Sequence, residues 1–398
     1  MPLCDLPFKS VFFINRKKDF PLFMPCEAIT KPDESHCPIQ KIPNPLGWQS
    51  DDSELNPEQI INSLNYQTLQ DNHRKGIKDK RCKFCWDLEK TGPHSPRLNL
   101  DKIDKDTDGL MVHFLLDNKC NMACRMCTPM ASSLLQKDSD YFKHHADDHG
   151  MSNMLLDITS VTDGFFSSDD MLSSVELPQW DWVINNIHKI GALKVTGGEP
   201  LFNKQFINEM IPLKKDGLNL NVTTNGSLFT NKMCDILNEF KGLYFTISLD
   251  SIGKNYEYVR YPYNFKKVEK SIANFIKRCY NIKEIKYSCV VSSLNIFYID
   301  ELIKWNNDSF NIYFTEVYPN LRGIGIKSLP VFLLKELYNI ILNVEFSDHM
   351  LLNMIQKAID DNQEDKQKMI KEIKLFDSSR NQNFRDYLHP DLISWLDG

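Results

Sequence analysis

Three closely spaced cysteines form the most chemically distinctive motif of the chain. Cys120, Cys124 and Cys127 occur in the segment CNMACRMC, with intervals of three and two residues. Such intervals wrap a short loop and bring three sulfur atoms together. Three thiolates leave one iron of a four-iron cluster without a protein ligand, so that this iron can bind another molecule. A zinc site with a distant fourth ligand is the alternative.

A glycine-rich turn is the second motif. The segment Thr196-Gly197-Gly198-Glu199-Pro200 follows an apolar run of strand length. Glycines let the backbone approach a ligand closely, and the Glu199 carboxylate with neighbouring carbonyl groups suits a cationic amine. A tight turn between a strand and a helix explains the same residues without a ligand.

The N-terminal part of the chain carries a second set of cysteines. Cys82 and Cys85 form a close pair in RCKFC, and Cys4, Cys26 and Cys37 lie upstream. The total of eleven cysteines is odd, which argues against a disulfide framework. Four thiolates from this set suit either a closed iron–sulfur cluster or a Cys₄ zinc site. The three cysteines that stand apart in patterned segments are predicted core residues: Cys234, Cys279 and Cys289.

The elements that must position these motifs are six apolar runs of strand length that alternate with helical patterns. This alternation predicts an α/β fold with a parallel sheet, as a partial or complete barrel or an open doubly wound sheet. The first two motifs directly follow the first two strands, at the edge where such folds place their active sites. The predicted strands are 110–116, 192–196, 218–224, 243–249, 284–291 and 310–317. The predicted intervening helices are 202–213, 230–240, 264–279 and 297–306.

Composition divides the chain into three predicted domains. Residues 1–108 are rich in proline, asparagine and charge, which favours a small domain held by metal more than by a core. Residues 109–326 carry the strand and helix pattern, with a long polar insertion at 138–180. Residues 327–398 contain helical patterns and form a C-terminal helical extension.

Overall composition excludes several classes of protein. The 398 residues are 42% hydrophobic and 25% charged, as expected of a globular protein of two or three domains. The mean hydropathy is −0.39, and no apolar run is long enough to predict a membrane span. The net charge of −6 argues against bulk nucleic-acid binding. The N-terminus lacks the pattern of a signal peptide, so a cytoplasmic protein is expected.

The order of these motifs resembles the radical S-adenosylmethionine (SAM) superfamily. CxxxCxxC after the first strand and GGEP after the second are the most specific marks of that family. The resemblance covers about residues 109–320. Further matches follow the next three strands: Thr224-Asn225-Gly226, Ser248-Leu249-Asp250-Ser251 and Val291 to Asn295.

The resemblance implies a fold, cofactors and an activity. The fold would be a partial (β/α)₆ TIM-like barrel. The three cysteines of CxxxCxxC would hold a [4Fe–4S] cluster, whose open iron binds the amino and carboxylate groups of SAM. Reductive cleavage of SAM would give a 5′-deoxyadenosyl radical that abstracts hydrogen from a substrate. A low-potential reductant such as flavodoxin or ferredoxin would supply the electron.

The family pattern also implies which residues contact SAM. Met126 stands where the family often has an aromatic residue against the adenine. Arg260, in YEYVR, would approach the carboxylate of SAM, and a structural ion pair is the alternative for this residue. The amine and ribose contacts would come from strand ends: Gly197, Gly198 and Glu199 for the amine, and Ser248 and Asp250 for the ribose, with Asn225 nearby.

The N-terminal cysteines resemble a twitch/SPASM auxiliary-cluster domain, placed before the core as in twitch-domain radical SAM proteins. The half-motif would consist of Cys4, Cys26, a spacer helix in DSELNPEQIINSLNYQTLQDNHRKG, and the Cys82–Cys85 pair. The resemblance implies a second [4Fe–4S] cluster that relays electrons or cross-links the domain. The hairpin glycine expected between the first two cysteines is absent, Cys37 is an alternative ligand to Cys26, and zinc is the alternative metal.

The expected substrate follows from the auxiliary domain. Such domains are common in family members that modify peptides, so a peptide or protein side chain is expected. A small metabolite, a sugar or a nucleoside is the alternative, because no domain that binds a leader peptide is apparent. A non-catalytic iron–sulfur or zinc protein is a third hypothesis. The GGEP and SLDS motifs argue against it, since an electron carrier needs no site for an amine and a ribose.

Overall fold

One sheet of eight strands organises the protein in this computed structural model. The structure describes residues 4–14, 22–24, 56–91, 95, 97–98, 102–127, 131–145, 178–210, 217–317, 323–344 and 349–398. The strands are β1 (Ser10–Ile14), β2 (Leu22–Met24), β3 (Leu110–Leu115), β4 (Ile190–Thr196), β5 (Asn219–Thr224), β6 (Gly242–Ser248), β7 (Ile282–Val291) and β8 (Asn311–Glu316). Their order in the sheet is β2-β1-β3-β4-β5-β6-β7-β8, and β1 pairs in parallel with β3 and antiparallel with β2. The six strands from β3 to β8 run parallel in an open sheet, which confirms the predicted α/β class and partial barrel.

Helices connect the parallel strands and extend the chain beyond them. The described α-helices are α1 (Leu6–Lys9), α2 (Pro57–Ile61), α3 (Leu64–Arg74), α4 (Lys83–Thr91), α5 (Lys102–Asp106), α6 (Leu135–His145), α7 (Pro178–Asn185), α8 (Lys204–Met210), α9 (Asn231–Leu237), α10 (Gly253–Val259), α11 (Phe265–Arg278), α12 (Ile299–Asn306), α13 (Val331–Leu342), α14 (His349–Asp360), α15 (Lys366–Arg380) and α16 (Pro390–Asp397). Short 3₁₀ turns lie at Lys80–Cys82, Ile187–Lys189, Pro200–Phe202, Ile296–Tyr298, Ile326–Ser328 and Phe384–Asp386. The four predicted intervening helices correspond to α8, α9, α11 and α12.

The two faces of the sheet differ in chemistry, because successive side chains of a strand point to opposite faces. Val112, Leu193 and Phe245 lie on the face that packs against the helices, within the main hydrophobic core. The opposite face of the same strands carries polar residues, including Lys194 and Thr246, which are half-buried. The sheet therefore presents a polar surface on the side away from its helices.

Helix α5 covers the amino end of this polar face. The Tyr244 hydroxyl donates to Asp106 Oδ2 at 2.8 Å, and Lys194 Nζ pairs with Asp104 Oδ1 at 2.5 Å. Asn219 Nδ2 donates to Thr107 Oγ1 at 3.1 Å, just after α5. These contacts cover the amino ends of the strands. They do not involve the opposite edge of the sheet, where the carboxyl ends of the strands lie.

The N-terminal residues take part in this architecture. Strand β1 joins the main sheet beside β3 and pairs with β2, so residues 1–108 contribute two strands as well as the helices α1 to α5. The predicted spacer helix is present in two pieces, α2 and α3, which are separated at Asn62 and Ser63. The domain bounds 1–108, 109–326 and 327–398 stay predictions.

The predicted polar insertion is described only at its two ends, whereas most of the C-terminal extension is described. Helix α6 begins before the insertion and ends at His145, α7 begins within its last residues, and residues 146–177 lie outside the described part of the chain. The C-terminal extension is helical as predicted, with α16 as an additional helix. None of the described helices combines the length and the apolar character that crossing a membrane requires.

Candidate active site

The loop that follows β3 carries the three cysteines, and we call residues 117–127 the cysteine loop. Backbone hydrogen bonds fix its path: Ala123 N donates to Tyr261 O at 2.7 Å, and Arg125 N donates to Val259 O at 2.8 Å. The Ser132 hydroxyl donates to Met122 O at 2.5 Å. The cysteine loop is therefore held against the end of α10 and against the chain at Ser132, which follows the loop.

The three thiols of the cysteine loop are half-buried and lie close enough to interact electrostatically. Burial raises the pKa of the Cys120 thiol to about 12 and raises that of Cys124 as well. Within the described ranges, no three Cys, His, Asp or Glu side chains are placed to hold a single metal ion. A mononuclear zinc site needs its ligands around one atom, whereas each thiolate of a [4Fe–4S] cluster binds a different iron. Three half-buried thiols on one loop suit a [4Fe–4S] cluster in which the fourth iron has no protein ligand.

The GGEP turn lies directly against the cysteine loop. Gly198 N donates to Asp117 O at 2.6 Å, and Glu199 N donates to Lys119 O at 2.8 Å. A Cβ on Gly198 would lie 2.3 Å from Lys119 O, and a Cβ on Gly197, whose φ is +125°, would lie 2.7 Å from Asp117 O. The sequence favours a ligand beside these glycines. In the structure, they admit the backbone of the cysteine loop.

Glu199 ties the ends of β4 and β5 together. Its buried carboxylate accepts hydrogen bonds from Leu201 N at 3.0 Å, Thr224 Oγ1 at 2.8 Å and Asn225 N at 2.6 Å. Burial raises the pKa of the Glu199 carboxyl to about 7, although these hydrogen bonds and Arg260 act in the opposite direction. The carboxylate is thus a structural acceptor within the protein before any ligand binds.

A polar network joins Asn225 to the cysteine loop. Asn225 Nδ2 donates to Asn121 Oδ1 at 2.7 Å, and Asn121 Nδ2 donates to Ser227 Oγ at 2.9 Å and to the Tyr263 hydroxyl. The sequence analysis did not single out Asn121 or Tyr263. The sequence does contain a signal for Asn121. It is an amide side chain inside the cysteine motif, and because an amide is not an iron ligand there, it indicates a hydrogen-bonding role.

Asp250 and Arg260 form a buried ion pair at the same edge of the sheet. Arg260 Nε lies 2.7 Å from Asp250 Oδ2, and Val290 N donates to Asp250 Oδ1 at 2.8 Å. Burial opposes the charged form of Arg260, but Asp250 and the nearby Cys124 raise its pKa above the usual value. The guanidinium in turn acts against the raised pKa values of Cys120 and Glu199. The positive charge of Arg260 therefore lies near both the thiols and Glu199.

The structure thus brings the residues that the sequence analysis assigned to the cluster and to SAM to one edge of the sheet. Ser248 is half-buried at the end of β6, and Met126 is half-buried and packs against the main core. The residues at the carboxyl ends of the strands or in the adjoining loops are Cys120, Cys124, Cys127, Gly197, Gly198, Glu199, Asn225, Ser248, Asp250 and Arg260.

Among the described N-terminal cysteines, Cys4 lies at the opposite edge of the sheet. Cys4 is buried with Met111 and Tyr244, near the amino ends of their strands, and burial raises its pKa to about 11. The six-residue strand β3 places this edge roughly 20 Å from the cysteine loop. Cys85 is buried and contributes to the electrostatic environment of Cys4.

A histidine accompanies the remaining cysteine of this set. Cys82 Sγ lies 3.5 Å from Nε2 of the buried His73, and burial lowers the pKa of that imidazole. The sequence analysis did not select His73, because a lone histidine in a helix carries no spacing signal. Cys26 and Cys37 lie outside the described residues.

A comparison with protein families gives a match within the α/β part of the chain. A profile of the Radical SAM superfamily matches residues 116–305, slightly less than half of the chain. The match contains the cysteine loop, the GGEP turn and the Asp250–Arg260 pair. Residues 116–305 therefore match a radical SAM domain, and that family implies a [4Fe–4S] cluster and SAM as cofactors.

Comparison with solved structures gives similarities at low sequence identity and low TM-score. The structure of anSMEcpe with bound AdoMet and Kp18Cys peptide is 18% identical, with a TM-score of 0.35 over 58% of this chain and 59% of that one. Streptococcus suis SuiB bound to precursor peptide SuiA is 14% identical, with a TM-score of 0.35 over 71% of this chain and 51% of that one. The alignments with the anSMEcpe structures cover between 49% and 59% of that protein. A comparison with curated protein sequences found no match.

Proposed function

We propose that this protein cleaves SAM reductively and abstracts hydrogen from a peptide or protein side chain. One observation supports this proposal above the others. Three thiols, the GGEP turn and a buried guanidinium, which arise from separate parts of the sequence, adjoin one another at the carboxyl edge of an open parallel sheet. This edge is where parallel α/β folds bind their substrates.

The cysteine loop and the surrounding side chains have complementary roles in this proposal. Cys120, Cys124 and Cys127 hold the cluster, which when bound supplies the electron for cleavage of the SAM carbon–sulfur bond. Arg260 attracts the SAM carboxylate, since a guanidinium has five N–H donors and the ion pair with Asp250 engages it through Nε.

Glu199, Asp250 and Ser248 complete the proposed SAM site. The Glu199 Oε2 atom accepts one hydrogen bond, from Asn225 N, so it has acceptor capacity for the SAM amine beside the backbone of Gly197 and Gly198. We assign the ribose to the half-buried Ser248 hydroxyl and to Asp250, and the adenine to Met126. Flavodoxin or ferredoxin remains the proposed reductant.

The substrate assignment uses the polar face of the sheet. Helix α5 covers the amino end of this face, whereas Thr223, Thr246 and Ser288 remain partly exposed nearer the carboxyl end. The sheet is open at β8, where Tyr313 is 46% exposed. An open, polar face of the sheet suits a substrate side chain that is carried on a larger molecule.

We propose that Cys4, Cys82 and Cys85, with Cys26, hold an auxiliary [4Fe–4S] cluster of the twitch/SPASM type. The proximity of Cys4 to Cys85 supports this assignment. Zinc is the competing metal for these cysteines.

Replacing the three loop cysteines by alanine tests the radical SAM activity. Anaerobically reconstituted wild-type protein, with dithionite and SAM, should form 5′-deoxyadenosine even without substrate, since cleavage needs only the cluster and bound SAM. The variant Cys120→Ala/Cys124→Ala/Cys127→Ala should form none and should lose about four irons per chain. Chromatography of the nucleoside and iron analysis measure the two effects.

The control for the triple variant is Cys234→Ala/Cys279→Ala, which removes buried core thiols from α9 and the end of α11. This control should retain its iron and its SAM cleavage. A wild-type protein that holds its cluster and still forms no 5′-deoxyadenosine would contradict the proposed activity.

Replacing Cys82 and Cys85 by alanine tests the auxiliary cluster. The double variant should keep about four irons and should still cleave SAM without substrate, because the core thiols lie on the separate cysteine loop. It should fail to complete turnover of the peptide substrate, because an electron relay is needed after hydrogen abstraction. Lys90→Ala, at an exposed position of α4, is the control and should behave as wild type.

Three results would contradict or replace this assignment. A protein that binds zinc and no more than about four irons would exclude the second cluster. Insolubility or protease sensitivity confined to residues 1–108 would indicate that the metal stabilises folding instead of relaying electrons. Full peptide turnover by a soluble double variant would exclude both roles.

A further inference from the structure

Arg125 directs its side chain away from the thiols that flank it in sequence. It stands between Cys124 and Met126, and it is 1% exposed. Its guanidinium lies over the Tyr258 ring at 3.6 Å from the ring centroid, and its Nε donates to Tyr258 O at 3.1 Å. Its Nη2 donates to Asp377 Oδ1 at 2.5 Å. A residue inside the cysteine motif therefore reaches the C-terminal helical extension.

Asp377, in α15, is shared among three parts of the chain. Besides Arg125, its Oδ1 accepts from the Tyr258 hydroxyl at 2.8 Å, and its Oδ2 accepts from Phe384 N at 2.7 Å. Gln382 Oε1 accepts a further hydrogen bond from Arg125 Nη2 at 3.0 Å. One buried carboxylate thus joins the cysteine loop, α10 and the turn after α15.

A second buried ion pair binds α15 at a different place. Arg380 Nη2 donates to Asp138 Oδ2 at 2.8 Å, and the Ser379 hydroxyl donates to Asp138 Oδ1 at 2.7 Å. Asp138 lies in α6, after the cysteine loop, and Phe142 of the same helix packs edge-on against Phe376. The hydrogen bonds of Asp138 go to Ser379 and Arg380 and fasten α15 to α6. However, Arg380 also lies near enough to Arg125 and Cys124 to interact with them electrostatically.

We propose that Arg125 and Asp377 are positioning residues, through which the C-terminal helical extension fixes the cysteine loop in the geometry that binds the cluster. The consequence for cluster binding rests on the proposed function, whereas the fixing of the loop does not. A buried arginine that loses its carboxylate partner leaves an uncompensated charge, so the loop must rearrange to bring Arg125 towards water. That rearrangement displaces the two thiols on either side of Arg125.

Thiol alkylation in the full-length, iron-free protein tests the fixing of the loop. Asp377→Asn should increase the rate of iodoacetamide alkylation at Cys124 and Cys127 by about tenfold, because local opening exposes both thiols. Mass spectrometry of the peptides reports each cysteine separately. Alkylation of the buried Cys234 should remain at the wild-type rate, which separates local opening from global unfolding.

Asp138→Asn is the matched control, because it removes the other buried carboxylate partner of α15. It leaves Arg380 without its carboxylate, but Arg380 lies outside the cysteine loop, so the alkylation rates of Cys124 and Cys127 should stay within about twofold of wild type. If Asp377→Asn does not fold, Arg125→Lys replaces it, because lysine keeps the charge but lacks the planar fork of donors. Equal rates in Asp377→Asn and Asp138→Asn, or no increase in Asp377→Asn and Arg125→Lys, would overturn the proposal.

The reconstituted enzyme gives an independent measurement. SAM addition should change the EPR g-values of the reduced wild-type and Asp138→Asn proteins alike, and Asp377→Asn should give a different shift or none. Selective alkylation in a protein that binds no iron would refute the proposed function and retain the positioning role. Wild-type EPR shifts and alkylation rates in Asp377→Asn would refute the positioning role alone.

Discussion

Gly198→Ala is expected to destabilise the protein by about 3 kcal/mol and to prevent retention of the cluster. The added Cβ would lie 2.3 Å from Lys119 O and 2.6 Å from Asn118 C, both of which are backbone atoms. The turn cannot retreat without breaking the hydrogen bonds from Gly198 N to Asp117 O and from Glu199 N to Lys119 O. The cysteine loop must therefore move instead. Urea unfolding of the iron-free protein and iron analysis after reconstitution measure the two effects.

Gly217→Ala is the control for this substitution, because a Cβ at Gly217 meets nothing within 4 Å. Its free energy of unfolding should stay within about 1 kcal/mol of wild type, with normal iron content. Equal stability of the two variants would contradict the close approach of the GGEP turn to the cysteine loop.

The parallel strands could be predicted because their sequence signal is local. Strand β6, for example, is predicted at 243–249 and is found at Gly242–Ser248, where alternating apolar residues meet clear turn signals. Strand β1 was missed because its apolar run, residues 11–14, is short, and because its partner β3 lies far along the chain. Helix α10 was missed because KNYEYV has little apolar periodicity, although Tyr256 and Tyr258 are buried.

For the candidate site, the sequence predicts which residues follow the ends of the strands, but not which partners these residues contact. The order of CxxxCxxC, GGEP and SLDS along the chain indicates which residues gather at the carboxyl edge of the sheet. The partners of those residues depend on tertiary contacts that no local pattern encodes. Arg125 and Asp377 are 252 positions apart, and the side chain between two cysteines gives no sign of where it points.

The role of glycine in GGEP illustrates the same limit. The absence of a side chain indicates that something must approach the backbone closely, but it does not identify what approaches. The sequence favoured a ligand, and the structure shows the backbone at Asp117 and Lys119. The glycines therefore position the cysteines as well as the neighbouring carbonyl groups.

Asp250→Ala is expected to affect stability as strongly as it affects SAM binding. The substitution leaves Arg260 buried without its carboxylate partner and Val290 N without its acceptor, so the free energy of unfolding should fall by about 3–5 kcal/mol. SAM binding should be lost, because the released guanidinium no longer has a fixed position beside Cys120 and Cys124. Urea unfolding of the iron-free protein and equilibrium dialysis of the reconstituted protein with SAM separate the two effects.

A second substitution distinguishes the ion pair from the cofactor site. Asp250→Ala/Arg260→Met removes both buried charges and should recover part of the lost stability, because a buried pair is costly mainly when only one partner remains. SAM binding should stay absent, since the double variant restores neither the positive charge nor the carboxylate. Asp235→Ala, which breaks the exposed Arg278–Asp235 pair, is the control and should change stability by less than about 1 kcal/mol. Recovery of SAM binding in the double variant would show that Arg260 and Asp250 serve the fold alone, and that the carboxylate of SAM is bound elsewhere.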